Sequence, residues 1–245
     1  MKIVGIIPSR LKSTRLPEKA LVDIEGLPMI VHVFKRAALS GSVDEVFVAT
    51  DSDCIYETVV KHGGKAIMTS SEHRTGTDRI AEAARNMDAD IIVNIQGDEP
   101  LVDPEHIDKA VEPLINENDI NISVLVTPYG KKGAVSDIKA VLDLNNNILY
   151  CSRTDLPDTS RVKIDSMWKM CFVVPFRKDF LLKYTSWDQT PLEKIEFNEY
   201  LRVLERGYKI KAVPVKNANI SVDTPEDLDE VRMLMQKDTI KEQYI

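Results

Sequence analysis

The chain has 245 residues and a formal net charge of −7, with 43% hydrophobic and 29% charged positions. That length holds one large domain or two small ones around a substantial core, and the composition excludes a disordered tail, a collagen and a disulfide scaffold. The acidic balance gives no long-range attraction for nucleic acid or an anionic bilayer, so any polyanion must be met by a local basic patch.

Cys54, Cys151 and Cys171 are far apart, with no C-x-x-C spacing and no clustered histidines, so they read as reduced thiols and not as zinc ligands. The apolar run at the N-terminus is too short for a signal peptide. Nothing approaches the ~20 apolar residues of a membrane helix. The expectation is a cytoplasmic protein with no membrane insertion and no nucleic-acid partner.

Residues 2–8 form a continuous apolar run, the pattern of a strand buried on both faces, followed by a polar loop that ends near Ala20. Pro28–Leu39 opens on a proline and repeats apolar residues at helical spacing. Then come a strand at Glu45–Thr50, a helix at Asp53–His62, a strand at Lys65–Met68, a helix at Thr77–Asn86, a strand at Asp90–Ile95, a helix at Asp103–Ile115 and a strand at Asn121–Thr127. Such alternation predicts crossover units and a mostly parallel sheet. From Tyr129 the pattern changes. Asp137–Asp143 and Ile148–Arg153 flank the turn-rich Leu144-Asn145-Asn146-Asn147, which predicts an antiparallel hairpin. Met167–Pro175 reads as a strand, Pro191–Arg206 as the longest helix, and Tyr208–Val215 as a strand. Thr224 is the cap of a final helix that opens at Pro225. One α/β domain over 1–245, with a β-rich insertion at 129–175, is the expected organisation.

The segment Ser9–Lys19 carries four cations against one anion in a protein of net negative charge. Ligands of a doubly wound sheet bind at the carboxyl ends of its strands, where this loop falls. Arg10, Arg15 and Lys19, with the hydroxyls of Ser13 and Thr14, suit a triphosphate. A solvated surface loop is the plain alternative, and the position after a buried first strand favours binding. Neither G-x-x-x-x-G-K-[ST] nor G-x-G-x-x-G occurs, which disfavours a P-loop ATPase or a dinucleotide dehydrogenase.

In Ile95-Gln96-Gly97-Asp98-Glu99-Pro100, Gly97 permits close backbone approach and Asp98 projects a hard oxygen suited to Mg²⁺. Asp223 precedes the Thr224 cap and is a candidate partner for Asp98 in holding that metal. The segment 72–79 puts Thr75, Gly76 and Thr77 at a helix start, where free N–H groups meet a hydroxyl or phosphate, with Thr77 read as a simple cap. His73 reads as a hydrogen-bonding residue of a polar loop, and His32, His62 and His106 as dispersed surface or core-edge residues. Ser152 and Asp155 lack a positioned histidine, which makes a Ser-His-Asp hydrolase a weak reading. Arg153 is a candidate partner for a substrate carboxylate or, equally, for a structural salt bridge.

Eight motifs stand in order: Ile-Ile-Pro-Ser-Arg-x-x-Ser-Thr-Arg-Leu-Pro-x-Lys (6–19), Gly-x-Pro-Met-Ile-x-His-Val (26–33), Val-Ala-Thr-Asp (48–51), Thr-Gly-Thr-Asp-Arg (75–79), Asn-x-Gln-Gly-Asp-Glu-Pro (94–100), Tyr-x-Ser-Arg (150–153), Pro-Leu-Glu-x-Ile-Glu (191–196) and Val-Asp-Thr-Pro-Glu-Asp-Leu (222–228). Together they resemble the 3-deoxy-manno-octulosonate cytidylyltransferase (CMP-Kdo synthetase) family over essentially the whole chain. The resemblance implies a Rossmann-like nucleotidyltransferase fold, a mostly parallel mixed sheet with an embedded β-rich dimerisation and substrate subregion. It also implies a homodimer and Mg²⁺-dependent transfer of CMP from CTP to the anomeric hydroxyl of a 3-deoxy-octulosonate, a carboxylated sugar, with release of pyrophosphate. Pro8, Arg10, Ser13, Arg15, Lys19, Thr75, Gly76, Thr77, Arg79, Gln96 and Gly97 would bind the nucleotide. Asp98 and Asp223 would hold the metal and act in catalysis with Arg10 and Lys19, and Arg153, Glu196, Glu199 and Tyr200 would face the sugar.

Where the family has Lys-His-Ile-Gly-Ile-Tyr, this chain has Lys169-Met170-Cys171-Phe172-Val173-Val174, and Asn198 and Tyr200 also depart from the family pattern. An amino-substituted octulosonate or a phosphonate is therefore an alternative acceptor. A nucleotide-binding regulator without turnover is the rival from another class, and the paired carboxylates argue against it.

Overall fold

The structure, a computed structural model, describes residues 1–11 and 16–245. It falls into two compact units, Met1–Asp108 with Asn219–Ile245, and Lys109–Ala218.

The first unit begins with β1 (Ile3–Ser9), buried along its length except at Pro8. A short antiparallel hairpin, β2 (Asp23–Ile24) and β3 (Leu27–Pro28), turns through Glu25 and Gly26 at φ 50° and 87°. Two successive left-handed residues match the right-handed twist of the flanking strands. There follow α1 (Met29–Ala37), β4 (Glu45–Thr50), α2 (Asp53–Lys61), β5 (Lys65–Met68), α3 (Gly76–Ala84) and β6 (Ile91–Ile95). Within this unit the strands lie in the order β6-β1-β4-β5, all parallel. The chain leaves β1 for β4 on one side and later returns to β6 on the other. The carboxyl ends of β1 and β6 therefore flank a topological switch point, the place where open α/β sheets bind ligands.

Helix α4 (Pro104–Asn116) carries the chain across the boundary between the units. The second unit holds β7 (Ser123–Tyr129), β8 (Lys139–Leu142), β9 (Ile148–Ser152), β10 (Met167–Cys171), β11 (Val173–Arg177), helices α5 (Lys178–Thr185), α6 (Pro191–Glu196) and α7 (Leu201–Glu205), and β12 (Lys211–Pro214). Its mixed sheet runs β12-β7-β10-β8-β9, with β12 parallel to β7 and the other pairs antiparallel. The β8–β9 hairpin follows the sequence expectation. Its turn is held by the Asp143 carboxylate, which accepts from the backbone N–H of Asn145 and Asn147 and from Asn147 Nδ2 at 2.7–2.8 Å.

The chain then returns to the first unit as α8 (Pro225–Met235). Thr224 caps it as expected: its hydroxyl accepts from Asp227 N, and the Asp227 carboxylate accepts from Thr224 N at 2.8 Å. Val222, Leu228, Val231 and Met235 pack with Ile24 and Met29 in one buried cluster. Arg36, nearly fully buried, ties the tail to this core by pairing with Asp238 and donating to the Val102 carbonyl.

Three expectations about elements need correction. The long helix over Pro191–Arg206 is two short ones, because Phe197 adopts φ 48° and stops α6. The strand over Met167–Pro175 breaks at Phe172 into β10 and β11. Helix α3 starts one residue before Thr77, and its cap is Thr75: Asp78 N donates to Thr75 Oγ1 at 3.1 Å.

Candidate active site

A cavity of about 590 Å³ opens at the switch point, entirely within the first unit. Its lining includes Pro8, Ser9 and Arg10 from the end of β1, Gln96, Gly97 and Asp98 from the end of β6, and Thr75, Gly76 and Arg79 from the start of α3. Lys19 and Asp223 complete its polar wall.

Close approach of the two strand ends requires Gly97. A Cβ there would lie 2.8 Å from the Pro8 carbonyl oxygen, inside the distance at which carbon and oxygen can pack. The next residue, Asp98, is thereby placed at the cavity wall. Its carbonyl accepts from Val222 N at 2.9 Å, which brings the segment before α8 beside it. Asp223 is held one residue before the cap, its N–H donating to the Asp227 carboxylate at 2.9 Å.

The result is a three-membered charge cluster. Lys19 Nζ donates to Asp98 Oδ2 at 2.7 Å and to Asp223 Oδ1 at 3.2 Å. The two carboxylates come from positions 125 residues apart and converge on one cation. Their side chains are 28% and 38% exposed, so they face the cavity and not the core. This geometry sets the test for a divalent cation. Among the described residues no group of three or more His, Cys, Asp or Glu gathers to enclose a metal. Two carboxylates on a site already selected for positive charge fit Mg²⁺, which is commonly held by one or two carboxylates and completed by substrate phosphate and water. They do not fit an all-protein cage.

Of the sequence-derived nucleotide residues, Pro8, Arg10, Lys19, Thr75, Gly76, Arg79, Gln96 and Gly97 line this cavity. Ser13 and Arg15 lie outside the described residues. Thr77 is buried and does not line the cavity. Arg79 is anchored on its far side, donating to Thr69 Oγ1 at 2.6 Å and pairing with Asp51 at 3.3 Å. Sequence reasoning missed Ser9, Ala20, Met29, His73 and Arg74 as lining residues. The signal for the last two was their place immediately before the helix-start motif.

The four proposed sugar residues lie in the second unit. Glu196 accepts from Ser152 Oγ at 2.8 and 2.9 Å, from Arg153 N at 3.1 Å and from Tyr150 Oη at 3.2 Å. Burial pushes its carboxyl up, but the bonds from Arg153, Ser152 and Tyr150 outweigh that and hold it below the usual range. Arg153 donates to four carbonyls, those of Val135, Ser136, Glu196 and Phe197, at 3.0–3.1 Å. Among the described residues these take four of its five N–H donors. The guanidinium is thus first a clamp that joins three loops. Lys139 serves the same loops from within: its fully buried ammonium donates to the carbonyls of Ala134, Asp137 and Arg153. Tyr200 is buried and stacked on Phe172, with ring centroids 5.8 Å apart and planes at 12°. Glu199 precedes it, and its carbonyl accepts from Tyr184 Oη at 2.9 Å.

Comparison with known proteins shows the family of the chain. A sequence model of the cytidylyltransferase family matches residues 4–210. The 3-deoxy-manno-octulosonate cytidylyltransferase of Geobacter metallireducens is 44% identical, over 94% of this chain and 96% of its own. That of Fusobacterium nucleatum is 41% identical, over 98% and 100%. Among solved structures, CMP:2-keto-3-deoxy-manno-octonic acid synthetase complexed with CTP superposes with a TM-score of 0.94 at 35% identity, over 97% of this chain and 99% of that one. The 4-diphosphocytidyl-2C-methyl-D-erythritol synthase of Anaerococcus prevotii, 16% identical with a TM-score of 0.62, shares the fold. With a family match over most of its length and relatives above 40% identity along nearly the whole of both chains, the chain belongs to the 3-deoxy-manno-octulosonate cytidylyltransferase family.

Proposed function

We propose that the protein transfers CMP from CTP to the anomeric hydroxyl of 3-deoxy-manno-octulosonate and releases pyrophosphate. The observation that carries this reading is the convergence of Asp98 and Asp223 on Lys19 at the wall of a cavity sized for a nucleotide. That a solved structural relative is complexed with CTP supports the choice of donor.

The cationic side of the cavity, Arg10 and Lys19, holds the phosphate chain and offsets the charge that grows on the departing pyrophosphate. The acceptor hydroxyl attacks the α-phosphorus in line, the new O–P bond forming as the bond to the β-phosphate oxygen breaks. Its proton leaves to water or to a carboxylate oxygen of the pair. Asp98 and Asp223 would hold Mg²⁺, which when bound supplies Lewis-acid stabilisation of the α-phosphate and acidifies the hydroxyl. Lys19 donates to both carboxylates and offsets part of their charge. In the second unit, Glu196, held by its three donors, would accept from sugar hydroxyls, and the Arg153 guanidinium would donate to the sugar carboxylate.

The protein acts as a homodimer, for which the outermost strand of the second unit offers a surface: Leu149 on β9 is 63% exposed, and Ile195 and Phe197, joined to β9 through Glu196, are 72% and 82% exposed. Among the described residues no helix is long and apolar enough to cross a membrane.

The test is pyrophosphate release in the presence of Mg²⁺, with CTP, UTP, ATP and GTP as donors and 3-deoxy-manno-octulosonate, an amino-substituted analogue and a phosphonate as acceptors. Release only with CTP and the octulosonate is expected. Binding of CTP with turnover confined to another acceptor would reassign the acceptor, and turnover with no acceptor would defeat the reading.

A further inference from the structure

One titratable side chain in the cavity has no task in the transfer as described. His73 lines the cavity next to Thr75 and Gly76, and its Nε2 is hydrogen-bonded to Glu82 Oε2 on α3. The same carboxylate oxygen accepts from Ser70 N at 3.0 Å, so Glu82 is itself fixed by the loop that carries His73. The bond from His73, outweighing the opposing effect of burial, holds the Glu82 carboxyl below its usual range, which keeps it an ionised acceptor at neutral pH. An ionised carboxylate can only accept, so Nε2 carries the ring proton. In the Nε2–H tautomer that this bond favours, Nδ1 presents a lone pair.

Apart from the Asp98 and Asp223 carboxylates at the Lys19 end, that lone pair is an acceptor among donors. Arg10, Lys19, Arg74, Arg79 and the amide of Gln96 all offer donors, and these answer phosphates and base carbonyls. Lys19 with Asp98 and Asp223 marks the phosphate end of the cavity. The α3 start, where His73 stands, lines the same cavity and would take the base. On the pairing edge of a pyrimidine nucleotide, cytosine carries an exocyclic amine where uracil carries a carbonyl oxygen. A fixed acceptor bonds the first and opposes the second.

We propose that His73, its tautomer set by Glu82, accepts a hydrogen bond from the 4-amino group of cytosine and so selects CTP over UTP. This rests on the cytidylyl-transfer reading above and assigns the residue that discriminates the base. Glu82 is a positioning residue, acting only through the imidazole.

The experiment compares kcat/KM for CTP and for UTP in the unaltered protein, in His73→Ala, in His73→Asn and in Glu82→Ala, with the octulosonate at saturation and its KM measured in parallel. One hydrogen bond to the amine is worth about a tenfold preference. The CTP-to-UTP ratio is expected to fall about tenfold in His73→Ala and by less in Glu82→Ala, where the ring can take either tautomer. His73→Asn, whose amide oxygen is also an acceptor, is expected to retain part of the ratio, and the KM of the acceptor stays unchanged. A ratio in His73→Ala equal to that of the unaltered protein overturns the inference, as does an equal loss with both donors. If the unaltered protein fails to use CTP at all, the cytidylyl-transfer reading has failed. If it prefers CTP and His73→Ala keeps that preference, only the present inference has failed.

Discussion

Replacing Gly97 by alanine tests whether the site depends on the close approach of two strand ends. The added methyl would stand 2.8 Å from the Pro8 carbonyl oxygen and 3.4 Å from Ile7 Cγ2. A carbon meets a carbonyl oxygen comfortably at ~3.3 Å or more, so the overlap is about 0.5 Å. The oxygen belongs to the backbone at the end of β1, whose neighbours are paired with β4 through Ser9↔Thr50, and it cannot rotate away as a side chain would. The strand ends must part instead. Overpacking of this kind costs about 1–3 kcal/mol. At roughly 2–4 °C per kcal/mol for a chain of this size, the expected fall in Tm is roughly 2–12 °C. Asp98 moves with Gly97, and since a 1 Å misplacement costs on the order of 100-fold in rate, half of that shift should lower kcat about tenfold. Circular dichroism melting and steady-state pyrophosphate release measure the two effects. A Gly97→Ala protein with an unchanged Tm and unchanged kcat would refute the view that the close approach positions the site.

Other outcomes follow from the same geometry. Asp98→Asn should lower kcat by ~100- to 1,000-fold while leaving the far-ultraviolet spectrum intact; near-normal turnover would remove Asp98 from the reaction. His32 Nε2 donates to the Ile24 carbonyl at 2.7 Å, and its Nδ1 accepts from Tyr244 Oη at 2.8 Å. Burial first, then Arg36 and Lys241, hold this imidazole below its usual 6.5 against the opposing bond to Ile24. The unfolded chain therefore takes up a proton that the folded chain refuses. Stability is full above pH ~6.5 and should fall below it by at most about 1.4 kcal/mol per pH unit, and His32→Gln should flatten that slope in urea titrations; an unchanged slope would contradict the assignment. Leu149→Asp should convert a two-chain mass to a one-chain mass in light scattering, and a dimer that survives it would move the interface away from β9.

Much of the first unit was legible because its signals are local. An unbroken apolar run becomes a doubly buried strand, and Thr224 followed by Pro225 and Asp227 becomes a capped helix, without help from distant residues. The basic loop and the two acidic turns could be recognised separately, but their meeting at Lys19 is a tertiary fact that the spacing of residues 19, 98 and 223 does not encode. The failures share a cause as well. The helical periodicity of 191–206 conceals the left-handed Phe197, which no composition rule marks, and the strand pattern of 167–175 conceals the break at Phe172. His73 is the hydrogen-bonding loop residue that the sequence indicates, but its partner Glu82 lies nine positions on and is visible only once α3 is built. Arg153 was weighed as a ligand or a salt-bridge partner, whereas its guanidinium is mostly committed to backbone carbonyls, partners that carry no sequence signature.

The most direct measurement follows the α-phosphate. The protein is incubated with CTP labelled at that phosphorus, 3-deoxy-manno-octulosonate and Mg²⁺, and the products are separated. Attack at the α-phosphorus in the Asp98–Asp223–Lys19 site predicts that the label enters the sugar nucleotide, with one unlabelled pyrophosphate released for each product, and that Asp98→Asn binds CTP but transfers almost no label. Label that stays in CTP despite binding, or appears as free CMP regardless of the sugar, would contradict the account.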